Sequence, residues 1–359
     1  MTWDVADNVH AHAELISALA VTGETLGRLD TRVATILRES AVTRMLQPVE
    51  HGGLQAHPRD FAEAVIAIAR RDGSAGWVAG TLGVPPWELA MAGRRMRDEI
   101  WEADASAWVA SAYVPSGHLT PVDDGYLLRG RWQYVAGIDH CDWVLLGARH
   151  DDGPVCHVVL PRSDVSIVDG SWEVAGLSGI GAKDVVVADA EVPRHRVLDC
   201  SGVIDGTAAE CAGLRDPMYH IPFSTMLGLG ITAAVIGMAE AVVLDHGGDD
   251  VSADEAAAEI RASRLAVLDS VSELYHRALD GPIGLAVRAR SRRDQLQAAR
   301  RAVRTVDEIV SRAGGEALRR NHPLQRFWRD AHMGLALATS VPEDALLPAV
   351  LDLPGIAIH

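Results

Sequence analysis

Residues 172–187 read WEVAGLSGIGAKDVVV: a tryptophan, a glycine-rich loop, then a β-branched run that reads as a strand over Lys183–Val187. Working back from it, the alternation of apolar and polar residues persists to Ser106, in aromatic and β-branched side chains. Further strands are read at Trp108–Val114, Tyr126–Val135, Trp143–Ala148, Val155–Leu160 and Val165–Val168. Asp124-Gly125 and Asp152-Gly153 stand between alternating runs, a strong hairpin signal. An antiparallel barrel or sandwich is expected, with Pro193 marking its exit.

On both flanks the period changes to that of a helix. From Ala11 to about Glu102, apolar residues recur three and four apart in TRVATILRESAVTRML (31–46) and DFAEAVIAIARRDGSAGWVAG (60–80), with breaks at Gly52-Gly53 and Pro58. Beyond a loop around 205–217, helices are read at about 221–246, 254–279, 284–313 and 323–338. Gly281-Pro282 separates the second from the third, and Gly314-Gly315 ends the third as a C-cap would. The predicted organisation is an α+β multidomain chain: a helical domain over 1–105, a β domain over 106–200 and a four-helix bundle over 201–359.

The 359 residues are enough for more than one core, and 48% hydrophobic with 23% charged residues describes a globular protein. A net charge of −16 disfavours a nucleic-acid or anionic-membrane binder and points to small-molecule chemistry. Cys141, Cys156, Cys200 and Cys211 lie far apart without metal-ligand spacing, so a reduced, cytoplasmic chain with no metal is expected. The start MTWDVADNVH lacks a basic region and an apolar run, so no secretory signal is expected. Lys183 is the only lysine; the arginine bias reads as base composition. Residues 221–244 are long and apolar, but Ser224, Thr225, Gly228, Gly230, Thr232 and Glu240 interrupt them, so a buried bundle helix is read rather than a membrane span.

The α, β, four-helix order carries local motifs in sequence. They are Pro48 with HGG at 51–53, RRDGSAGW at 70–77, SAYVPSG at 111–117, GRWQYVAGIDHCDW at 130–143, the 172–187 stretch, EVPRHR at 191–196 and AGGEALRRNHPLQRFWRDAH at 313–332. Over nearly the whole chain they resemble the acyl-CoA dehydrogenase fold, and most closely the oxygenase components of two-component (group D) flavin-dependent monooxygenases. That resemblance implies reduced flavin, FMNH2 or FADH2, delivered by a separate flavin reductase and held between β domain and bundle, where it reacts with O2. It also implies an aromatic or amine-bearing substrate and a homo-oligomer, tetramer or dimer.

Individual positions depart from the family pattern. The glutamate base of an acyl-CoA dehydrogenase is matched by Asn321, and an amide cannot remove a proton, so desaturation of a CoA thioester is not expected. Nearby Glu316 reads as a helix-end charge. The monooxygenases carry two histidines as DAH-x-x-x-x-H; here His332 is present and Leu337 takes the place of the base. A five-residue step turns about 140° away on a helix, so His332 is either a catalytic substitute or an interface residue. The resemblance assigns flavin contact to Ser111, Trp132, Tyr134 and Trp172, which otherwise read as strand core. It assigns the ring-binding loops to Ala136-Gly137 and Gly179-Ile180-Gly181-Ala182, where polar side chains are lost but glycine still permits close backbone approach. Trp77, Pro86 and Trp87, with Leu337, read as substrate wall or as core. The arginines at 288, 290, 292, 293, 300, 301 and 304 read mostly as a solvated face, with Arg292 or Arg293 on the flavin phosphate.

Two functions follow. One is oxygenation, by hydroxylation or N-oxidation. The other is a same-fold enzyme that has lost oxygenase chemistry, or flavin altogether, and catalyses a redox-neutral cyclisation, dehydration or rearrangement, as the apolar Ala136, Ile180, Ala182 and Leu337 suggest. A non-catalytic scaffold subunit has no positive feature in its favour.

Overall fold

The computed structural model describes residues 5–150, 153, 155–246, 251–320 and 322–340. It opens with helices α1 (Val5–Ala11), α2 (Ala13–Leu26), α3 (Thr31–Glu39), α4 (Pro58–Ala69), α5 (Gly73–Leu82), α6 (Pro85–Leu89) and α7 (Arg94–Trp101). Capping explains several starts. The Asp30 and Asp72 carboxylates accept the backbone N–H two residues on, and His57 Nδ1 does the same before Pro58, which needs no N–H at a first helical position. Helix α4 turns Phe61, Val65, Ile66 and Ile68 inward until all are fully buried.

Seven strands follow: β1 (Val109–Val122), β2 (Gly125–Val135), β3 (Trp143–His150), β4 (Val155–Pro161), β5 (Ser166–Ile167), β6 (Lys183–Pro193) and β7 (Val197–Asp199). They form one sheet in the order β5-β6-β2-β1-β3-β4-β7. Neighbours run antiparallel except β1 and β3, which run parallel. That pair departs from the all-antiparallel expectation.

Two strand ends also differ from the reading. The first strand passes through Pro115 to Val122, because the register shift between Ala112 and Gly117 releases the ladder position that a proline cannot fill. The sheet does not end at Pro193: β7 returns to pair with β4, a three-residue strand too short to show a period. The turn before Gly125 closes β1 on β2 with Val122 opposite Gly125. Asp152 of the second hairpin signal lies outside the described residues.

The segment read as a loop holds two short helices, α8 (Ser201–Asp205) and α9 (Ala208–Cys211). The bundle is α10 (Phe223–His246), α11 (Val251–Arg277), α12 (Leu285–Ala313) and α13 (Pro323–Ser340). Helix α10 is its axis, packing against α4, α5, α11, α12 and α13. Glycines let it in: a Cβ on Gly230 would stand 2.2 Å from the Gly80 carbonyl oxygen, and one on Gly237 2.4 Å from that of Ile66. Phe223–Asp245 is long and apolar enough to cross a membrane, yet 83% of that stretch is buried inside the protein. It is a core helix.

Candidate functional site

Two loops meet at one end of the neighbouring strands β2 and β6. The first follows β2, the second precedes β6, and the Gly137 N–H donates to the Ile180 carbonyl at 2.9 Å to join them. Tyr134, Gly137, Leu177 and Gly181 all take left-handed backbone, at φ 63°, 71°, 54° and 57°. For Tyr134 and Leu177 that conformation costs energy which the surrounding contacts must offset.

Those contacts are specific. The Leu177 N–H donates to Asp330 Oδ1 of α13 at 2.5 Å, and the Trp172 indole N–H donates to the Leu177 carbonyl at 3.2 Å. Trp172 is buried, and the ring of Tyr134 meets it edge-on at 6.1 Å while remaining 56% exposed. Behind the second loop lie α2 and α5, so close that a Cβ on Gly179 would stand 2.9 Å from Ser74 Oγ. A Cβ on Gly181 would stand 2.5 Å from Asp139 Oδ2, a buried oxygen without a hydrogen-bond partner among the described residues; its other oxygen holds Lys183 Nζ at 2.5 Å. Ala136, Ile180 and Ala182 are buried and apolar. An exposed phenol stands beside a buried indole over loops thinned by glycine, with backbone groups and the Asp139 carboxyl as the polar atoms of this corner.

Helix α13 anchors this corner. Arg329 reaches Glu24 of α2 at 2.6 Å and Gln325 at 2.7 Å, and donates to the Ala175 carbonyl. Asp330 is buried, and burial raises its carboxyl to about 7 despite the Leu177 N–H, with the nearby Asp72 acting in the same direction.

Other predicted positions lie elsewhere. Trp132 belongs to the inner face of the sheet, its indole N–H held by the Gly147 carbonyl at 2.7 Å. Ser111 stands half-buried on β1 with Tyr113 two residues on, facing α6. Trp87 is fully buried, donating to the Met218 carbonyl at 2.7 Å and stacking on Phe223; Pro86 is buried next to it, and Trp77 is buried where α13 passes at Gly334. Leu337 is partly buried against the core.

His332 faces away from the loops: its Nε2 bonds to Asp307 of α12 at 2.8 Å on an exposed surface. Of the arginines, Arg288 and Arg292 are buried rather than solvated, because their guanidinium groups donate to the Ile283 and Ala338 carbonyls. Arg290, Arg293, Arg300 and Arg304 are exposed, as read. Asn321 lies outside the described residues. A cavity of about 350 Å³ lies among Thr207, Glu210, Arg215, His220, Leu279 and Pro282, with none of the predicted site residues in its lining.

One cluster had no signal in the sequence. Glu88 of α6 is fully buried and bonds His157 Nδ1 of β4, with Tyr113 and Phe223 around them. A glutamate and a histidine 69 residues apart form no motif.

Residues 250–339 match the family of the acyl-CoA dehydrogenase C-terminal domain. The chain is 43% identical to a pigment production hydroxylase of Rhodococcus erythropolis, covering 99% of this chain and 97% of that one. It is 37% identical to the oxygenase subunit HsaA of the flavin-dependent monooxygenase of Mycobacterium tuberculosis, over 90% of this chain and 88% of the relative. The crystal structure of 3-HSA hydroxylase from Rhodococcus sp. RHA1 superposes with a TM-score of 0.90 at 34% identity, covering 99% of this chain and 98% of that one. The chain therefore belongs to the oxygenase components of two-component flavin-dependent monooxygenases, enzymes of acyl-CoA dehydrogenase fold that act on small molecules and take their flavin from a separate reductase.

Proposed function

We propose that this chain hydroxylates an aromatic metabolite that already carries a ring hydroxyl. The observation that carries the reading is near full-length likeness to a named hydroxylase, at 43% identity. More distant relatives, a p-hydroxyphenylacetate 3-hydroxylase at 26% and a resorcinol hydroxylase at 28%, are named for hydroxylated aromatics. The redox-neutral alternative has no such support.

Reduced flavin, when bound, supplies the electrons with which dioxygen is split between product and water. The chain's own part is to seat and shield it. In this reading Tyr134 and Trp172 flank the ring, and the backbone at Ala136-Gly137 and Gly179–Ala182 meets its polar edge in place of the missing hydroxyls. Ser111 approaches from β1. Arg292 is committed to the Ala338 carbonyl, so Arg293, exposed on α12, is the better partner for a flavin phosphate, reached across a subunit boundary in a homodimer or homotetramer. The protein works in the cytoplasm.

The test is an anaerobic titration with FMNH2 and with FADH2, followed by mixing with oxygen. Saturable binding of one flavin, with peroxide released more slowly than from free flavin, is the expected result. Failure to bind either flavin would end the oxygenase reading.

A further inference from the structure

The two loops at the ends of β2 and β6 are held in different ways. The second carries Leu177 at positive φ and is tied to α13 by the bond from the Leu177 N–H to Asp330 Oδ1. The first begins at Tyr134, also at positive φ, and leans on the second: Val135 pairs with Lys183, and the Gly137 N–H donates to the Ile180 carbonyl at 2.9 Å. Among the described residues one side-chain bond joins the two loops, from Lys183 Nζ to Asp139 Oδ1 at 2.5 Å, and its partners are only 20% and 10% exposed. The residue after Asp139 is fixed as well. His140 Nε2 donates to the Leu29 carbonyl at 3.0 Å, and Arg38 donates to the His140 carbonyl at 3.0 Å.

Two features set this pair apart from the ion pairs of the surface. Lys183 is the only lysine in a chain that otherwise uses arginine for every such cation. Its compact ammonium meets a single carboxyl oxygen, where a planar guanidinium would present a fork. The other carboxyl oxygen, Asp139 Oδ2, is buried and has no hydrogen-bond partner among the described residues, a rare state for a carboxylate. It packs against Gly181, where a Cβ would stand 2.5 Å away. One oxygen of Asp139 thus lies against the second loop while the other holds the first residue of the strand that leaves it.

We propose that Asp139 and Lys183 are positioning residues for the flavin site, an ion pair that clasps the two loops so that their backbone meets the ring in one fixed geometry. This rests on the flavin seat of the reading above. Neither side chain touches the ligand; both act through the backbone at Ala136-Gly137 and Gly179–Ala182. Without the pair, the first loop keeps only backbone bonds to the second and parts from it for a share of the time.

Two measurements on the full-length protein test the clasp, the first without flavin. Hydrogen exchange is followed by mass spectrometry in peptides covering 134–142 and 176–183, for wild type, Asp139→Leu, Lys183→Met and the double variant. Each single variant should exchange faster in both segments while the bundle peptides stay unchanged. The double variant should exchange no faster than the worse single one, because the bond is already lost. The second measurement is an anaerobic titration with FADH2 and FMNH2. A variant whose loops stay together for about one-tenth of the time should bind the preferred flavin about tenfold more weakly. Thermal melts check that each variant is folded, and Asp139→Asn, a smaller change expected to act in the same direction, replaces a single variant that is not. Folded variants that exchange as wild type does overturn the proposal, and so do variants that exchange faster yet keep the wild-type flavin affinity, or double-variant losses that add. A wild type that binds neither flavin strikes the hydroxylase reading, while the exchange comparison still decides whether the pair clasps the loops.

Discussion

At the scale of single residues, the sharpest consequence concerns Asp330. Its carboxyl titrates near 3.8 when exposed and at about 7 in the folded protein, because burial outweighs the Leu177 N–H it accepts. Between those values the unfolded chain has released the proton while the folded chain still holds it. Folding then binds more protons, so this group makes stability fall as pH rises from about 4 to about 7. Asp330→Asn keeps an oxygen for the Leu177 N–H and removes the titration. In thermal melts across that range the variant should gain on wild type as pH increases; parallel curves would mean that Asp330 is ionised in the fold. His332 makes a milder prediction. Its imidazole and the Trp328 indole both address Asp307 Oδ1, at 2.8 and 2.7 Å, and the His332–Asp307 pair is little more than half covered. Such pairs contribute about 0–1 kcal/mol, so His332→Ala should lower the unfolding free energy in urea by no more than that. A loss of several kcal/mol would place His332 in a far tighter network than its partners indicate.

At the scale of elements, α10 and α5 touch backbone to backbone. A methyl on Gly230 has nowhere to go, since its contact is a carbonyl oxygen rather than the end of a flexible side chain. Gly230→Ala should therefore destabilise by about 1–3 kcal/mol, outweighing the better helix propensity of alanine, and urea unfolding would show it as a lower midpoint. A neutral result would mean the two helices can separate without cost. The same elements show what a sequence carries and what it does not. The bundle helices are legible because 3.6-residue periodicity repeats over many turns, and α12 ends at Gly314, whose φ of 69° suits glycine, as its position suggested. The far half of β1 is not legible, because Pro115 interrupts the alternation and only the bulge lets the strand continue. The sides taken by the site residues are harder still. Trp132 and Tyr134 are two apart on one strand and should share a face, but the register shift between Trp132 and Val135 buries one ring and exposes the other. Glu88 and His157 could not be paired at all before the fold set α6 against the sheet, where Glu88 reaches His157 of β4.

At the scale of the whole molecule, flavin affinity should appear as stability. The corner made by the two loops, α2, α5 and α13 is held by Asp330, Arg329 and backbone bonds, so it exists before any ligand arrives. A ligand that binds this folded corner and not the unfolded chain stabilises the protein by about 2.7 kcal/mol at one hundred times its dissociation constant. Anaerobic melts with rising FADH2 or FMNH2 should then move the midpoint upward for the flavin the enzyme uses, and less or not at all for the other. Tyr134 makes the test local. Its ring is 56% exposed, so Tyr134→Ala removes little packing from the ligand-free protein and should leave its own melting temperature nearly unchanged. If the planar ligand lies on that ring, the variant should lose most of the flavin-dependent shift while keeping the baseline. A variant that keeps the full shift would move the flavin seat off this corner, to a surface where Tyr134 takes no part.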